Sequence, residues 1–189
     1  SEIYAPFGQA NLTAINGDLH GDKNNVVAQA YSVIWALYSG GDTYTNNYYR
    51  TNVYVVIDHA NIIASEVNLN AQQGYLNLNT ETYPDSKSLF CFGLGTNADT
   101  RLELVNSVII RNGSNIRAYQ SFKANASGES SDVGKKSVIQ TTTGNHGGSF
   151  GWTNGYASLK GGQTNQISLE NSIILARNVT LNTSDFVED

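Results

Sequence analysis

The sequence has few of the residues that link or restrain small domains covalently. Its 189 residues include one cysteine, Cys91, so neither an internal disulfide nor a cysteine-based zinc site is possible. Methionine is absent and the first residue is Ser1, which predicts a processed product or a piece of a longer chain. Two prolines beside 18 glycines are few for a disordered or linker segment. An ordered domain held together by packing is therefore expected.

Charged residues are also scarce, at 14% of the chain, and acidic residues outnumber basic ones by 16 to 11. A nucleic-acid or anionic-membrane surface would need an excess of Lys and Arg, so neither partner is expected. No apolar run approaches the ~18 residues of a membrane-spanning helix, and no signal peptide is recognised. The sequence thus predicts no transmembrane segment.

Small polar residues dominate what is present, with 23 Asn, 15 Thr, 18 Ser and 18 Gly. The hydrophobic fraction is 40% and is rich in Val, Ile and Leu, which is enough to bury a core. This balance predicts an all-β protein. By association, it is similar to the composition of exported bacterial β-proteins.

The chain contains an internal repeat. Aligning Ile63, Ile110 and Leu175 brings the surrounding apolar positions into coincidence, at intervals of 47 and 65 residues. A constant core unit with insertions of variable length is therefore predicted. The units span residues 11–16 (in part), 55–71, 102–118 and 167–183.

Each unit alternates apolar and polar residues with period 2, which indicates short strands with one buried face. In the third unit the strands break at 170–171 and 177–178, where Asn residues stand. Asn tolerates left-handed backbone and bonds its own main chain, so it suits the corners of a coil. The pattern predicts a parallel β-helix, or β-solenoid, of three to four coils in a single domain over 1–189.

The insertions near 25–54, 74–101 and 119–166 share a plan of an outbound β segment, a break at paired glycines or at Pro84-Asp85, and a returning β segment. These predict β-hairpins that extend from the coils and stack into side sheets. For residues 33–38 a single turn of buried amphipathic helix is the alternative, although the β-branched and aromatic content favours a strand.

At motif level, the stretches 24–30, 60–71, 106–118 and 171–182 resemble filamentous adhesins of the two-partner-secretion type. The similarity is to filamentous-haemagglutinin-like and leukotoxin-type large exoproteins of Gram-negative bacteria. It implies a right-handed parallel β-helix, secretion through an outer-membrane partner, and virulence-associated adhesion without catalysis or a cofactor.

The residues capable of catalysis give little indication of an enzyme. His20, His59 and His146 have no metal-ligand spacing among them and are interpreted as turn residues. Asp18 and Asp22 lack the order of a calcium loop, so turn chemistry is favoured over a calcium ion and no metal site is predicted.

A carbohydrate-active β-helix, either a polysaccharide lyase or a glycosidase, is the alternative function. The repeat alignment stacks Asp58, Val105 and Glu170 at one corner, which would separate the two acids by roughly 10 Å, near the spacing that glycosidases use. It also aligns Arg111 and Arg177 at another corner. The simpler interpretation is a solvated ladder of charges. A flat threonine face of the ice-binding type, suggested by 80–82 and 141–143, is a third and remoter possibility.

Aromatic residues are concentrated on two returning segments. At period 2, rings on one strand share a face, which is either the core of a side sheet or an open platform for sugar rings or another protomer. The candidate ligand-binding residues are Tyr44, Tyr48, Tyr49, Phe150, Trp152 and Tyr156.

Together these features predict a non-catalytic, adhesive segment of a secreted or cell-surface filament. Its expected partners are other segments or copies of the same protein, joined end to end, and a receptor or glycan on a host cell or a neighbouring cell.

Overall fold

The computed structural model describes residues 1–16, 25–34, 38–74, 76–86, 90–128, 138–143 and 150–184. These residues form strands joined by short turns and contain no helix, hence none that could cross a membrane. The strands are β1 (Glu2–Asn16), β2 (Asn25–Ile34), β3 (Tyr38–Asp58), β4 (Asn61–Gln73), β5 (Asn77–Ser86), β6 (Phe90–Arg111), β7 (Asn115–Ser127), β8 (Val138–Thr143), β9 (Phe150–Leu169) and β10 (Ile173–Ser184).

The strands form three sheets, which the chain visits in a fixed order. Sheet A contains β1-β4-β7-β10, sheet B contains β2-β5-β8, and sheet C contains β3-β6-β9. Every pairing between these strands is parallel. The chain therefore passes from A to B to C three times and then re-enters sheet A. The prediction of an all-β protein with stacked parallel strands is confirmed.

The predicted hairpins are wrong for the described strands. In each insertion the outbound arm lies in sheet B and the returning arm in sheet C, and each arm pairs with the equivalent arm of the next repeat. The Thr82 hydroxyl of β5 donates to Thr45 Oγ1 of β3 at 2.7 Å, so the arms pack face against face instead of edge to edge. Glycine between two arms is compatible with either arrangement. The alternative of a helical turn over residues 33–38 is wrong for the residues described there, since Val33 and Ile34 lie in strand β2 and Tyr38 lies in strand β3.

Strand register confirms the correspondence of the first and third repeat units and corrects the second. Residues 55–71 pair with 108–126, which in turn pair with 167–183. The sequence alignment had placed 102–118 in that middle position. The error arose because the middle unit has one extra residue in its turn and one within β7, while a period-2 pattern also matches at even shifts. The partial unit 11–16 lies in β1 and pairs with β4.

The apolar core lies mainly between sheets A and C. Alternation along the strands directs one face of each inward, and Phe122 of β7 is the largest of the fully buried side chains, with no exposed surface. Its register partners on β4 and β1 are the smaller Val67 and Ala10, both buried. A large ring beside smaller neighbours fills the interior at this level.

Between sheets B and C a small leucine cluster is joined by a chain of hydrogen-bonded polar side chains. The Thr80 hydroxyl oxygen accepts hydrogen bonds from Asn47 Nδ2 at 3.2 Å and from Thr100 Oγ1 at 2.7 Å. The Thr141 hydroxyl donates to Thr100 Oγ1 at 2.8 Å. Buried hydroxyls are stable here because they bond to one another.

The turns from sheet C to sheet A use left-handed backbone. Positive φ values occur at His59, Asn112, Gly113 and Asn171. Asn and Gly accept this conformation most readily, which confirms the prediction of Asn at a coil corner for Asn171.

Candidate functional site

The outward face of sheet C carries a group of open tyrosines. Tyr44, Tyr48 and Tyr54 are separated by even numbers of residues along β3 and are 56%, 55% and 47% exposed. Tyr156 of β9 is 63% exposed. Even spacing along a strand places side chains on the same face, as predicted for Tyr44 and Tyr48. We call Tyr44, Tyr48 and Tyr156 the tyrosine face; Tyr54 lies on the same side of β3, about 20 Å beyond Tyr48.

Tyr49 does not belong to this face. It is adjacent to Tyr48 in the strand, so it points to the opposite side, and it packs against a buried leucine cluster. The prediction that Tyr49 shares the open face of Tyr48 is therefore wrong. The side chains of Phe150 and Trp152 lie outside the described part of the structure, and their strand, β9, pairs with β6 in parallel. The leucine cluster is Leu76, Leu78, Leu102 and Leu104.

Tyr48 is held in place by charged neighbours. Its hydroxyl donates to Glu103 Oε2 at 2.5 Å, and Arg101 Nη2 donates to Glu103 Oε1 at 2.8 Å. The Arg101 guanidinium lies 5.7 Å from the ring centre, within cation–π range. The phenol hydrogen bond lowers the pKa of Glu103 and raises the pKa of Tyr48, because it stabilises the carboxylate paired with the neutral phenol.

A cavity of about 320 Å³ opens beside this ring, lined by Asn46, Asn47, Tyr48, Asp99 and Arg101. Asp99 Oδ1 is buried and finds no hydrogen-bond partner among the described residues. A buried carboxylate oxygen without a partner favours a donor group from outside. The cavity therefore suits a polar ligand that donates hydrogen bonds and also contacts an aromatic ring.

Tyr44 and Tyr156 stand in one row across sheet C, with Asn97 between them. Two strand spacings, roughly 10 Å, separate the backbones of Tyr44 and Tyr156. The Tyr44 hydroxyl donates to Asp42 Oδ2 at 2.8 Å, which raises the pKa of Tyr44. Gly95, beside Asp42, leaves the space that this carboxylate occupies, since a Cβ there would collide with it.

The predicted column of acids at the corner is corrected by the register. Asp58 pairs with Arg111, not with Val105, so a cation stands where the alignment expected an apolar residue. Arg111 Nε donates to Asp58 Oδ2 at 2.9 Å. Asp58 and the residue after Leu169, Glu170, keep equivalent positions in the first and third units, two strand spacings apart, but Arg111 stands between the two acids. Arg177 lies within β10 and does not share the corner of Arg111.

The Asp58 carboxylate has further donors. Asn112 Nδ2 lies 2.9 Å from Asp58 Oδ1, and His59 Nδ1 lies 2.6 Å from the same oxygen. The hydrogen bond from Asn112, followed by that of His59 and then that of Arg111, lowers the pKa of Asp58 to about 2. The corner is thus a hydrogen-bonded cluster that fixes a left-handed turn.

In the part of the chain that the structure describes, no group of three His, Cys, Asp or Glu residues is arranged to hold a metal ion. Of the predicted turn histidines, only His59 is described. The other candidates for turn or thiol chemistry lie outside the described side chains: Asp18, His20, Asp22, Cys91 and His146.

No family model, no curated protein and no solved structure matches this chain.

Sequence reasoning missed a second aromatic surface, on sheet A. A cavity of about 530 Å³ there includes Tyr4, Phe7 and Tyr119, each at least 46% exposed. The available signal was an aromatic placed between Pro6 and Gly8 within a strand, a position where regular pairing is interrupted.

Proposed function

We propose that the chain is a structural and adhesive segment of a secreted or cell-surface filament built as a right-handed β-solenoid. The observation that carries this proposal is the repeated A–B–C order of the strands with parallel pairing in all three sheets. A chain that returns to the same sheet after each circuit, always in parallel, advances by one strand spacing, about 4.8 Å, per coil. Parallel crossovers are almost always right-handed, which supports the sense that the family resemblance implies.

Such a stack suits a stiff stalk. Every coil buries its inner side chains partly against the coils above and below, so stability accumulates along the axis. Outward columns add short polar bonds between coils. Asn68 Nδ2 donates to Asn11 Oδ1 at 2.8 Å, and Asn182 Nδ2 donates to Asn125 Oδ1 at 3.1 Å.

The two ends of the stack differ. At equivalent inner positions of sheet C, Ile57 is 4% exposed and Leu169 is 52% exposed. Leu159, Val179 and Leu181 are also more than half exposed at the same end. This end is suited to receive further strands.

The strand count restricts what continues the stack. In the part of the chain that the structure describes, sheet A has four strands whereas sheets B and C have three, so the next coil is completed by one strand on β8 and one on β9. A second copy stacked in the same sense brings its own β1 to the place that β10 occupies. End-to-end association of copies then requires one of those two strands to give way, whereas a further segment of the same protein meets no such conflict.

Adhesion is proposed for the tyrosine face, with a receptor or glycan on a host cell or neighbouring cell as the partner. Tyrosine combines an apolar ring with a polar hydroxyl, which favours interfaces that contact both sugar C–H groups and hydroxyls. The anchored ring of Tyr48 costs little conformational entropy on binding, because Glu103 already holds its hydroxyl.

The test compares beads coated with wild-type protein and with the variant Tyr44→Ala/Tyr48→Ala/Tyr156→Ala. Retention is measured under flow on mammalian cell monolayers, bacterial lawns and immobilised glycans. We expect the triple variant to lose at least about tenfold in retention, equivalent to about 1.4 kcal/mol. Tyr54→Ala is the matched control, since it removes an exposed tyrosine from the same strand about 20 Å beyond Tyr48. Adhesion by the triple variant equal to that of wild type would refute the role of this face, and absence of adhesion by wild type on all surfaces would refute the function.

A further inference from the structure

The four strands of sheet A share an interruption at one level. Each register break follows directly after an alanine, and these alanines pair with one another as one inner column. The interruption differs in length from strand to strand. The alanines are Ala5, Ala64, Ala118 and Ala176, and the inserted residues are 6–8 in β1, Ser65 in β4, 119–120 in β7 and Arg177 in β10.

The unequal lengths create a depression. β4, with one inserted residue, lies between β1, with three, and β7, with two, so Ser65 forms a low floor between taller walls. The walls stand two strand spacings apart, roughly 10 Å. The resulting cavity of about 530 Å³ is lined by Tyr4, Pro6, Phe7, Ser65, Tyr119 and Gln120.

The walls present unusually open aromatic rings. Phe7 is 100% exposed, Tyr4 69% and Tyr119 46%. The Arg117 guanidinium lies 5.4 Å from the centre of the Tyr119 ring and holds that ring by cation–π attraction. Covering such rings removes a large apolar area from water, so a ligand that lies against them gains affinity.

We propose that this cavity binds a neutral saccharide through a single pyranose ring held between the aromatic walls. Two van der Waals contacts of about 3.5–4 Å, one on each face of a ring, fill most of the width between the walls. The C–H faces of a pyranose match the rings of Phe7 and Tyr119, and its hydroxyls match Ser65 and Gln120. The cavity lining contains no charged residue, which selects against an acidic or basic ligand.

A neutral sugar fits better than a wholly apolar group. A hydrocarbon side chain in this space would cover the hydroxyl of Ser65 and the amide of Gln120 without bonding them, which is unfavourable because both groups lose their hydrogen bonds to water. The site is separate from the tyrosine face, because it lies on sheet A and the tyrosine face lies on sheet C. It therefore does not depend on the adhesive role proposed above.

The experiment is saturation-transfer-difference NMR on the full chain with methyl β-D-glucopyranoside, methyl β-D-galactopyranoside and cellobiose. We expect a Kd on the order of 1 mM for at least one of these probes. Phe7→Ala and Tyr119→Ala should each weaken binding at least about fivefold. Ser65→Tyr, which keeps both walls and fills the floor, should abolish it. Tyr54→Ala, which removes an exposed tyrosine of sheet C outside this cavity, is the control and should leave the affinity unchanged.

Three results would overturn the proposal. The first is the absence of transfer to any of the saccharides at 50-fold excess over the protein, with wild type folded by circular dichroism. The second is binding that survives both Phe7→Ala and Ser65→Tyr. The third is loss of binding in Tyr156→Ala alone, which would place the sugar on sheet C and support the adhesive role there while refuting this site.

Discussion

Replacing Phe122 with Ala should be among the most destabilising single changes in this protein. The ring has no exposed surface and lies in the core between sheets A and C. Truncation removes the transfer free energy of the ring and leaves a cavity, which together cost about 3–5 kcal/mol for a buried Phe. Total stabilities of domains are about 5–15 kcal/mol, so the change removes a large part of the whole. Phe122→Leu should fall between wild type and Phe122→Ala.

The assay is thermal and urea unfolding followed by far-ultraviolet circular dichroism. For a chain of this size about 2–4 °C of Tm accompanies each kcal/mol, so Phe122→Ala should melt roughly 6–20 °C below wild type. Lys123→Ala is the control, since the neighbouring side chain points outward and is exposed. It should change stability by no more than about 0.5 kcal/mol.

A loss of less than about 1 kcal/mol for Phe122→Ala, or an equal loss for Lys123→Ala, would refute the packing argument. Either result would mean that Phe122 does not point into the core while Lys123 points outward. The register would then be wrong by one residue, because a shift of one exchanges the inner and outer faces.

Three further changes test other parts of the fold. Asp58→Asn should destabilise the protein above pH 4 and approach wild type below pH 2, because the Asp58 pKa of about 2 in the folded protein, against an ordinary 3.8, gives stability that is lost as pH falls. Urea midpoints of both proteins at pH 6 and pH 2 measure this, and a difference that does not change with pH would contradict it. Gly155→Ala should lower the free energy of unfolding by about 1–3 kcal/mol, since its Cβ would lie 2.9 Å from a threonine hydroxyl, whereas Gly161→Ala, with nothing within 4 Å, should leave it unchanged. Equal melting temperatures for the two variants would contradict the close packing between sheets B and C. Thr80→Val should lower the free energy of urea unfolding by about 1–3 kcal/mol, because two buried donors lose their acceptor. Thr180→Val, on the exposed outer face of β10, should be near neutral. Comparable losses for the two variants would show that the hydrogen-bonded threonines are not buried.

Period 2 was the most informative feature of the sequence. It predicted strands, and it placed Tyr44 and Tyr48 on one open face as the structure does. The same rule, applied residue by residue, excludes Tyr49 from that face. The error there was to treat neighbouring aromatics as one cluster, although adjacent residues in a strand point in opposite directions.

Connectivity could not be derived from the same pattern. A glycine-containing break between two β segments is compatible with a hairpin and with a corner between sheets. What decides between them is long-range, namely whether the inner face of one arm meets the inner face of the next. The threonines that meet across sheets B and C are ordinary in sequence, and their partners lie 20 to 41 residues away.

The sheet A cavity was harder still to predict, because it depends on a difference between strands. Each strand carries an interruption after its alanine, which by itself looks like irregularity in an alternating pattern. The cavity exists only because Ser65 stands alone between longer insertions on β1 and β7. Once the correct register is known, the number of residues inserted after the paired alanine of each strand can be counted from the sequence. The residues that line the floor and the walls then follow from counting, and a lengthened β4 insertion would be expected to close the cavity.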